Sequence, residues 1–511
     1  MGKIKKKIIA GIVIGGIVGI GVGGKAVWYI VFSNVYSLVR RFYVQEVDPE
    51  KMIKNAIKGM SWRLNPYCKY VDSSVVEIVK GEVGGISLVG LMCFNEIIRI
   101  GEVIEGSPFY NRGLQVGDRI LRVNSKDVRG LKFEGLVKEL SENKEIKLEI
   151  QKYDSQEKLQ CWVGDTEWER RWKNIPYAGV IGGKIGYIRV ARVDSGVKEE
   201  LDSCLSYLLT KGVEKLMLDL RSTQGGEIDE VIGVLDLFLP KGVILLKIKR
   251  KDEYAVRNFF AEGEEKINNL PIIILLNYSS MFGSEIIASV LQEYERAAII
   301  GDTSFGKGSI EKSYPFSLGE VRVSVAKCYT PQGRCIMREE GGNFFVKNET
   351  VGKEVESIGG LKRKLKWNGR VIPDKVLKTP LSLSSLLVDS EVKRPQFLLE
   401  SKGKGVFEEW AKDYVKKHKK LKKRFKLKEK EVTEFKEFMK QRKIKFKEEE
   451  FDSVKGVIVD ELEEVIGRVK WGEEGEYFWK FENDLWIKEG VKLFEGVKSM
   501  GELFLKIDKK G

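Results

Sequence analysis

Between about residues 181 and 380 the chain alternates short apolar runs with amphipathic stretches of helical period. The runs are IGYIRVARV, KLMLDLRS, VILLKIK, PIIILLNY and AAIIGD; the stretches include KEELDSCLSYLLTKG and EIDEVIGVLDLFLP. Strand and helix in alternation predict an α/β core with at least partly parallel strands over 181–380. The flanks have other textures. From 81 to 155, β-branched runs separated by glycine, such as GGISLVGLMCF and DRILRVNSKDV, predict a small, mostly antiparallel β domain interrupted by one helix, FEGLVKELSEN. Helical patterns occupy 41–80 and 381–511, and the stretch 156–180, with WVGDTEWERRWKNIPYAG, reads as a linker.

The N-terminus reads MGKIKKK, then IIAGIVIGGIVGIGVGG, then Lys25 and a second apolar stretch, AVWYIVF. Seventeen uncharged residues are enough to span a bilayer, so a single-pass membrane anchor is expected within 1–40. No A-x-A site follows it, which favours retention over cleavage. Lys3, Lys5, Lys6 and Lys7 would stay cytoplasmic and place the bulk of the chain outside the cytoplasm, although Arg40 and Arg41 pull against that orientation.

The net charge of +14 is concentrated: residues 411–430 carry eleven Lys and Arg against two acids. Such a run reads as a solvated helix face, and no nucleic-acid partner is expected. Six cysteines, at 68, 93, 161, 204, 328 and 335, form no CxxC pair and have no histidine nearby, so buried thiols are the default expectation, an even number on an exported chain also permits disulfides, and neither a metal nor a cofactor is expected.

Two motifs bear on chemistry. GDTSFGKGS, 301–309, has the G-x-x-x-x-G-K spacing of a phosphate loop, but Gly308 stands where Ser or Thr must hold magnesium, and SIEKSYPF after it is no helix start. The chain's only histidine, His418, lies in the basic run, so a Ser-His-Asp triad in the core is excluded by composition. A serine hydrolase built here needs another base, for which Lys307 is the candidate.

In order, NPYCKYV, GGISL, IEGSP, RGLQVGDRILRVN, IGYIRV, LDLRSTQGG, NYSSMFGSEI, TSFGKGS and YTPQGR resemble the successive signatures of the C-terminal processing peptidases, or tail-specific proteases, over roughly residues 45–375. The resemblance implies a crotonase-like α/β core with a PDZ domain inserted ahead of it, and a serine-type peptidase with a Ser/Lys dyad and an assisting glutamine. Asn277 and Glu285 align the serine segment without a gap, which sets the nucleophile on Phe282; the base is Lys307, and the glutamine falls on Glu311. Ser280 and Ser284, two residues to either side, are the alternative nucleophiles. They are poorly placed, because a two-residue step turns a helical side chain by about 200°. Gly225 and Gly226 match the family's oxyanion glycines, with Thr223-Gln224 before them in place of Asn-Pro, and the Gly283 amide would be the second donor. Gly84, Gly85, Ile86, Ser87 and Leu88 match the loop that receives a peptide's terminal carboxylate. The resemblance therefore implies proteolysis of protein C-termini, whereas Phe282 and Glu311 point to a catalytically impaired pseudoprotease that still binds peptide or protein C-termini. The rival is an active endopeptidase using Ser280 or Ser284 with Lys307. A homo-oligomer is compatible with either reading.

Overall fold

The computed structural model describes residues 174–250, 256–267, 269–316, 319–338, 354–377 and 395–509. Before these it describes 24–43, 48–62, 68–72, 82–83, 86–87, 92–94, 97–100, 112–114, 118–128, 136, 139–140, 146–152 and 158–163. Residues 1–62 form a unit of their own, and 63–511 a second one.

In the first unit, helix Pro49–Trp62 starts on Asp48, whose Oδ1 accepts from Glu50 N at 2.9 Å and Lys51 N at 3.2 Å, with proline at the first helical position, where its missing N–H does no harm. Helix Gly24–Phe42 carries exposed Trp28, Tyr29, Phe32, Val35 and Leu38. No helix among the described residues is long and apolar enough to cross a membrane. The apolar run expected to do so, up to residue 23, lies outside the described residues.

The centre of the second unit is a six-stranded sheet in the order Tyr177–Ile181, Ile185–Arg189, Lys215–Asp219, Ile272–Leu276, Ala298–Gly301, Lys375–Val376. Its first pair is antiparallel and the rest are parallel. Residues alternate between its faces. Ile272, Ile274, Ile188 and Leu218 meet helices Val197–Thr210, Ile228–Asp236 and Gly283–Glu293 through Leu201, Leu205, Val231, Leu235, Ile286 and Val290. Ile273, Leu275, Tyr187, Met217 and Ile300 point the other way, against Tyr477, Ile487, Leu493, Phe494 and Phe504. The apolar run PIIILLNY is therefore a strand covered on both sides, as a parallel sheet requires.

That second cover corrects the expected boundary at 381. The last three helices, Glu473–Asn483, Leu485–Phe494 and Met500–Asp508, are not a separate domain but the missing layer of the core. Gly490 lies so close to the sheet that a Cβ there would come within 2.5 Å of Met217 Cε. Only the preceding helices, from Gln396–Gly403 to Lys455–Trp471, have a core of their own, built on Phe397, Phe407, Trp410, Phe435 and Ile466. Part of the basic run pairs with acids of the same tail: Lys423 with Glu474 at 3.0 Å, and Lys426 with the buried Glu463 at 2.8 Å.

The β domain is an antiparallel sheet in the order Met92–Phe94, Ile97–Arg99, Arg119–Val123, Ile146–Gln151, Lys158–Val163, with a buried Lys152–Asp118 ion pair of 2.7 Å beside it. Two expected boundaries change here. The stretch taken as a linker from 156 holds the sheet's last strand, whose inward Leu159 and Cys161 alternate with polar neighbours. Helix Gln396–Gly403 covers that edge: Gln396 Nε2 donates to Lys158 O at 2.6 Å, and a Cβ on Gly403 would lie 1.9 Å from Gln160 O. The stretch 41–80, expected to be helical, contains strand Lys69–Asp72, which pairs with Gly319–Tyr329 in a separate antiparallel sheet. The cysteines whose side chains are described, 68, 161, 204, 328 and 335, form no disulfide with one another.

A polar latch joins the tail to the core under the glycine loop at 225. Asp219 accepts from Tyr187 OH at 2.7 Å and from Arg221 Nε at 2.9 Å; Arg221 Nη1 reaches Asp484 at 2.7 Å, and Asp484 caps helix Leu485–Phe494 through Trp486 N at 2.8 Å. Burial opposes the Asp219 charge, but Arg221, Arg189 and the Tyr187 hydroxyl outweigh it and hold the carboxyl well below the usual carboxylate range. A depressed folded pKa means the stabilisation is complete above the unfolded value of about 3.9 and is lost as pH falls below it towards the folded one. We expect Asp219→Asn to lower stability at neutral pH and to flatten the acid limb of stability against pH, measured by urea denaturation between about pH 2.5 and 7.

Candidate active site

Strand Ile272–Leu276 runs into a turn at 277–282 that opens helix Gly283–Glu293. Asn277 ties this turn to the neighbouring strand end: its Oδ1 accepts from Ser222 N at 2.7 Å, and its Nδ2 donates to Ser222 Oγ at 3.1 Å. Phe282 is the residue before the helix, with φ 47° and ψ −94°. A bulky side chain at positive φ is a strained conformation that the surroundings must impose. A sharp strand-to-helix turn of this kind is the geometry that presents a nucleophile in serine hydrolases. Here it presents a phenyl ring, which is buried.

Glu285 imposes the turn. Its Oε2 accepts from Phe282 N at 2.9 Å, the reach-back of a third helical residue, and from Lys307 N at 2.9 Å. Its Oε1 accepts from Ser304 Oγ and Gly306 N. Burial pushes this carboxyl above its ordinary value, and the four donors oppose that shift. One fully buried carboxylate thus holds the turn and the Lys307 loop together. Glu285 served in the sequence only as an anchor of alignment. Its place three residues into a helix was the available signal for the cap, and its bonds to 304–307 had none.

Lys307 follows the strand Ala298–Gly301, in a loop that leads into strand Ser309–Phe316, not the helix a phosphate loop needs. Its Nζ lies 5.7 Å from the centroid of the Phe282 ring and 3.6 Å from Glu311 Oε2. Glu311 Oε1 accepts from Ser309 Oγ at 2.7 Å and Ser324 Oγ at 3.1 Å, so its carboxylate is oriented towards the lysine from behind. The structure brings Phe282, Lys307 and Glu311 together.

Ser280 and Ser284 are fully buried. The Ser280 hydroxyl donates to Leu220 O at 2.8 Å and lies 3.1 Å from Asn277 Oδ1; the Ser284 hydroxyl lies 3.0 Å from Met281 O and 3.2 Å from Thr223 O. Both serve as turn and helix-start bonds to the backbone. Gly225 and Gly226 have φ 82° and 139°, and a Cβ on Gly226 would meet Phe282 Cδ1 at 2.5 Å and Gly283 N at 2.8 Å. Only glycine permits that approach. Gly225, Gly226 and Gly283 therefore converge beside Phe282. In the PDZ-like region Ile86–Ser87 pairs antiparallel with Glu82–Val83, while Gly84, Gly85 and Leu88 lie outside the described residues.

The YTPQGR stretch braces the back of the site. Arg334, almost fully buried, donates through Nε to Glu293 and through Nη2 to Ser289 O at 2.9 Å, and Gln332 N donates to the same glutamate at 2.9 Å. Among the described residues no group of three or more His, Cys, Asp or Glu is arranged to hold a metal ion.

Comparison with known proteins finds matches for three parts of the chain. Residues 184–342 match Peptidase family S41, 75–151 match the PDZ domain, and 402–452 match "Probable PDZ-protease, C-terminal helical domain". The chain is 32% identical over 316 residues to the carboxy-terminal-processing protease of Bartonella bacilliformis, covering 60% of this chain and 71% of that one. It is 28% identical over 319 residues to the carboxy-terminal processing protease CtpA of Bacillus subtilis, covering 60% and 66%. Among solved structures, the photosystem II D1 C-terminal processing protease is similar at a TM-score of 0.49 and 20% identity, over 68% of this chain and 92% of that one. With its S41 core, PDZ domain and helical C-terminal domain, the chain belongs to the C-terminal processing peptidase family.

Proposed function

We propose that this chain is a membrane-anchored member of its family that binds the C-terminal ends of proteins or peptides and does not hydrolyse them. The observation that carries this reading is Phe282 on the strained turn, with the Lys307 ammonium over its ring at 5.7 Å. A phenyl ring can neither attack a carbonyl nor give up a proton. Lys307 pairs with Glu311, and Ser280 and Ser284 spend their hydroxyls on buried carbonyls. Peptide capture by strand addition needs only backbone donors and an apolar pocket, so it survives loss of the nucleophile.

The lysine-flanked apolar run at 8–24 and the exposed Trp28 and Tyr29 that follow it support the anchor, because aromatic side chains favour the interface of a bilayer. The orientation of the lysines puts the core outside the cytoplasm. The test is a pair of measurements on the detergent-solubilised chain: anisotropy of a fluorescent peptide with a free apolar C-terminus, and labelling by a serine-directed phosphonate. Saturable binding without labelling is expected. Labelling at Ser280 or Ser284 would contradict the reading, as would the absence of binding.

A further inference from the structure

A basic and aromatic cluster adjoins the site and has no part in the dyad. Tyr278 comes from the turn before Phe282, Phe305 from the Lys307 loop, Arg338 from the stretch that follows the TPQGR segment, and Arg370 from the bend before strand Lys375–Val376. These loops are stitched together by the backbone: Phe305 N donates to Ser280 O at 3.1 Å, Arg338 N to Gly306 O at 3.1 Å, and Ser304 N to Val371 O at 3.1 Å. The Arg338 guanidinium lies 4.1 Å from the centroid of Phe305 and donates to Tyr278 OH at 3.0 Å; that of Arg370 lies 5.3 Å from the centroid of Tyr278. The rings of Tyr278 and Phe305 meet edge to face at 5.7 Å.

The convergence of the two arginines depends on Gly306. With φ +89°, a Cβ there would come within 2.8 Å of Arg338 Cβ and 3.0 Å of Arg370 Cγ. Both arginines are half-buried, and among the described residues no carboxylate pairs with Arg370. An arginine stacked on an aromatic ring keeps its planar N–H edge for a carboxylate, which it meets with two parallel bonds. The cluster lies beyond the C-terminal ends of strands Ile272–Leu276 and Ala298–Gly301, the end at which open α/β sheets receive their ligands. Phe282, Gly226 and Lys307 lie at that same end.

We propose that Arg370, stacked on Tyr278 and positioned by the Arg338–Tyr278 bond beside the Lys307 loop, forms a carboxylate subsite that selects which peptides this chain holds. The inference rests on the peptide-binding reading above and adds the chemistry of the preferred ligand. The carboxylate comes from an acidic side chain of the peptide or from its free C-terminus, and the arms of the test separate the two.

The full chain, solubilised in detergent, is titrated by anisotropy with a short fluorescent peptide ending in apolar residues and bearing one interior glutamate, with its Glu-to-Gln counterpart, and with its C-terminal amide. The expected result is about tenfold weaker binding of one of the two altered peptides, with the preference fading as salt is raised and vanishing in Arg370→Ala. Loss with the Gln peptide assigns the side chain, and loss with the amide assigns the terminus. Arg370→Lys, which keeps the charge and removes the fork, should retain only part of the preference. Arg338→Gln serves as a second variant should Arg370→Ala not fold. Equal binding of all three peptides, or a preference unchanged in both variants, overturns the subsite and leaves the peptide-binding reading standing. No binding of any peptide overturns both.

Discussion

Phe282→Ser combined with Glu311→Gln should give this chain peptidase activity well above that of wild type. The turn that would carry the serine is already built: φ 47° at position 282, the Glu285 bond to its amide, and the backbones of Gly226 and Gly283 alongside. Removing the ring opens the space that Lys307 now faces, and replacing Glu311 frees the lysine from its 3.6 Å ion pair while keeping an acceptor for Ser309 and Ser324. Loss of a nucleophile takes about 10⁶ from kcat in serine hydrolases. A crudely rebuilt site should recover about a thousandfold over wild type on an unfolded substrate. Phe282→Ser alone should recover less, because the carboxylate of Glu311 still holds the base. Phosphonate labelling at residue 282 is the second readout, and it should depend on Lys307.

Glu285→Ala should be the most damaging single change at the site. It strands four donors at once: the amides of Phe282, Gly306 and Lys307 and the hydroxyl of Ser304. Each buried donor left without a partner costs about 1–3 kcal/mol, so a loss of roughly 4 kcal/mol or more is expected in denaturant unfolding. Glu285→Gln preserves the shape but turns an amide NH₂ towards groups that all donate, so it should fall between wild type and alanine. If Glu285→Ala melted as wild type does, the carboxylate would not be what holds the turn against the Lys307 loop.

The α/β core was legible because its strands are apolar runs long enough to stand out between amphipathic helices. Phe282 was singled out because Asn277 and Glu285 fix the alignment to either side of it, and Lys307 and Glu311 by counting on from Glu285; the structure brings the three together. What could not be read was which surface each helix covers. Periodicity marks the apolar stripe of Leu485–Phe494 but not the sheet face it completes, and the Asp484–Arg221 bond spans 263 residues. Strands Lys69–Asp72 and Lys158–Val163 were missed for the same reason: KYVD is short and charged at both ends, KLQCWV carries Lys158 and Gln160 between its apolar residues, and only their partners in the folded chain make them strands. The arginine cluster is spread over residues 278, 305, 338 and 370 and has no local pattern at all.

The central claim is that Phe282 has removed hydrolysis from a fold that otherwise retains the site. The most direct test is to incubate wild type and Lys307→Ala at equal concentration with an unfolded protein substrate bearing an apolar C-terminus, and to count new N-termini by mass spectrometry. Both proteins should give the same background. Cleavage by wild type that disappears in Lys307→Ala would mean that a serine other than residue 282 works with this lysine, and the pseudoprotease account would be wrong.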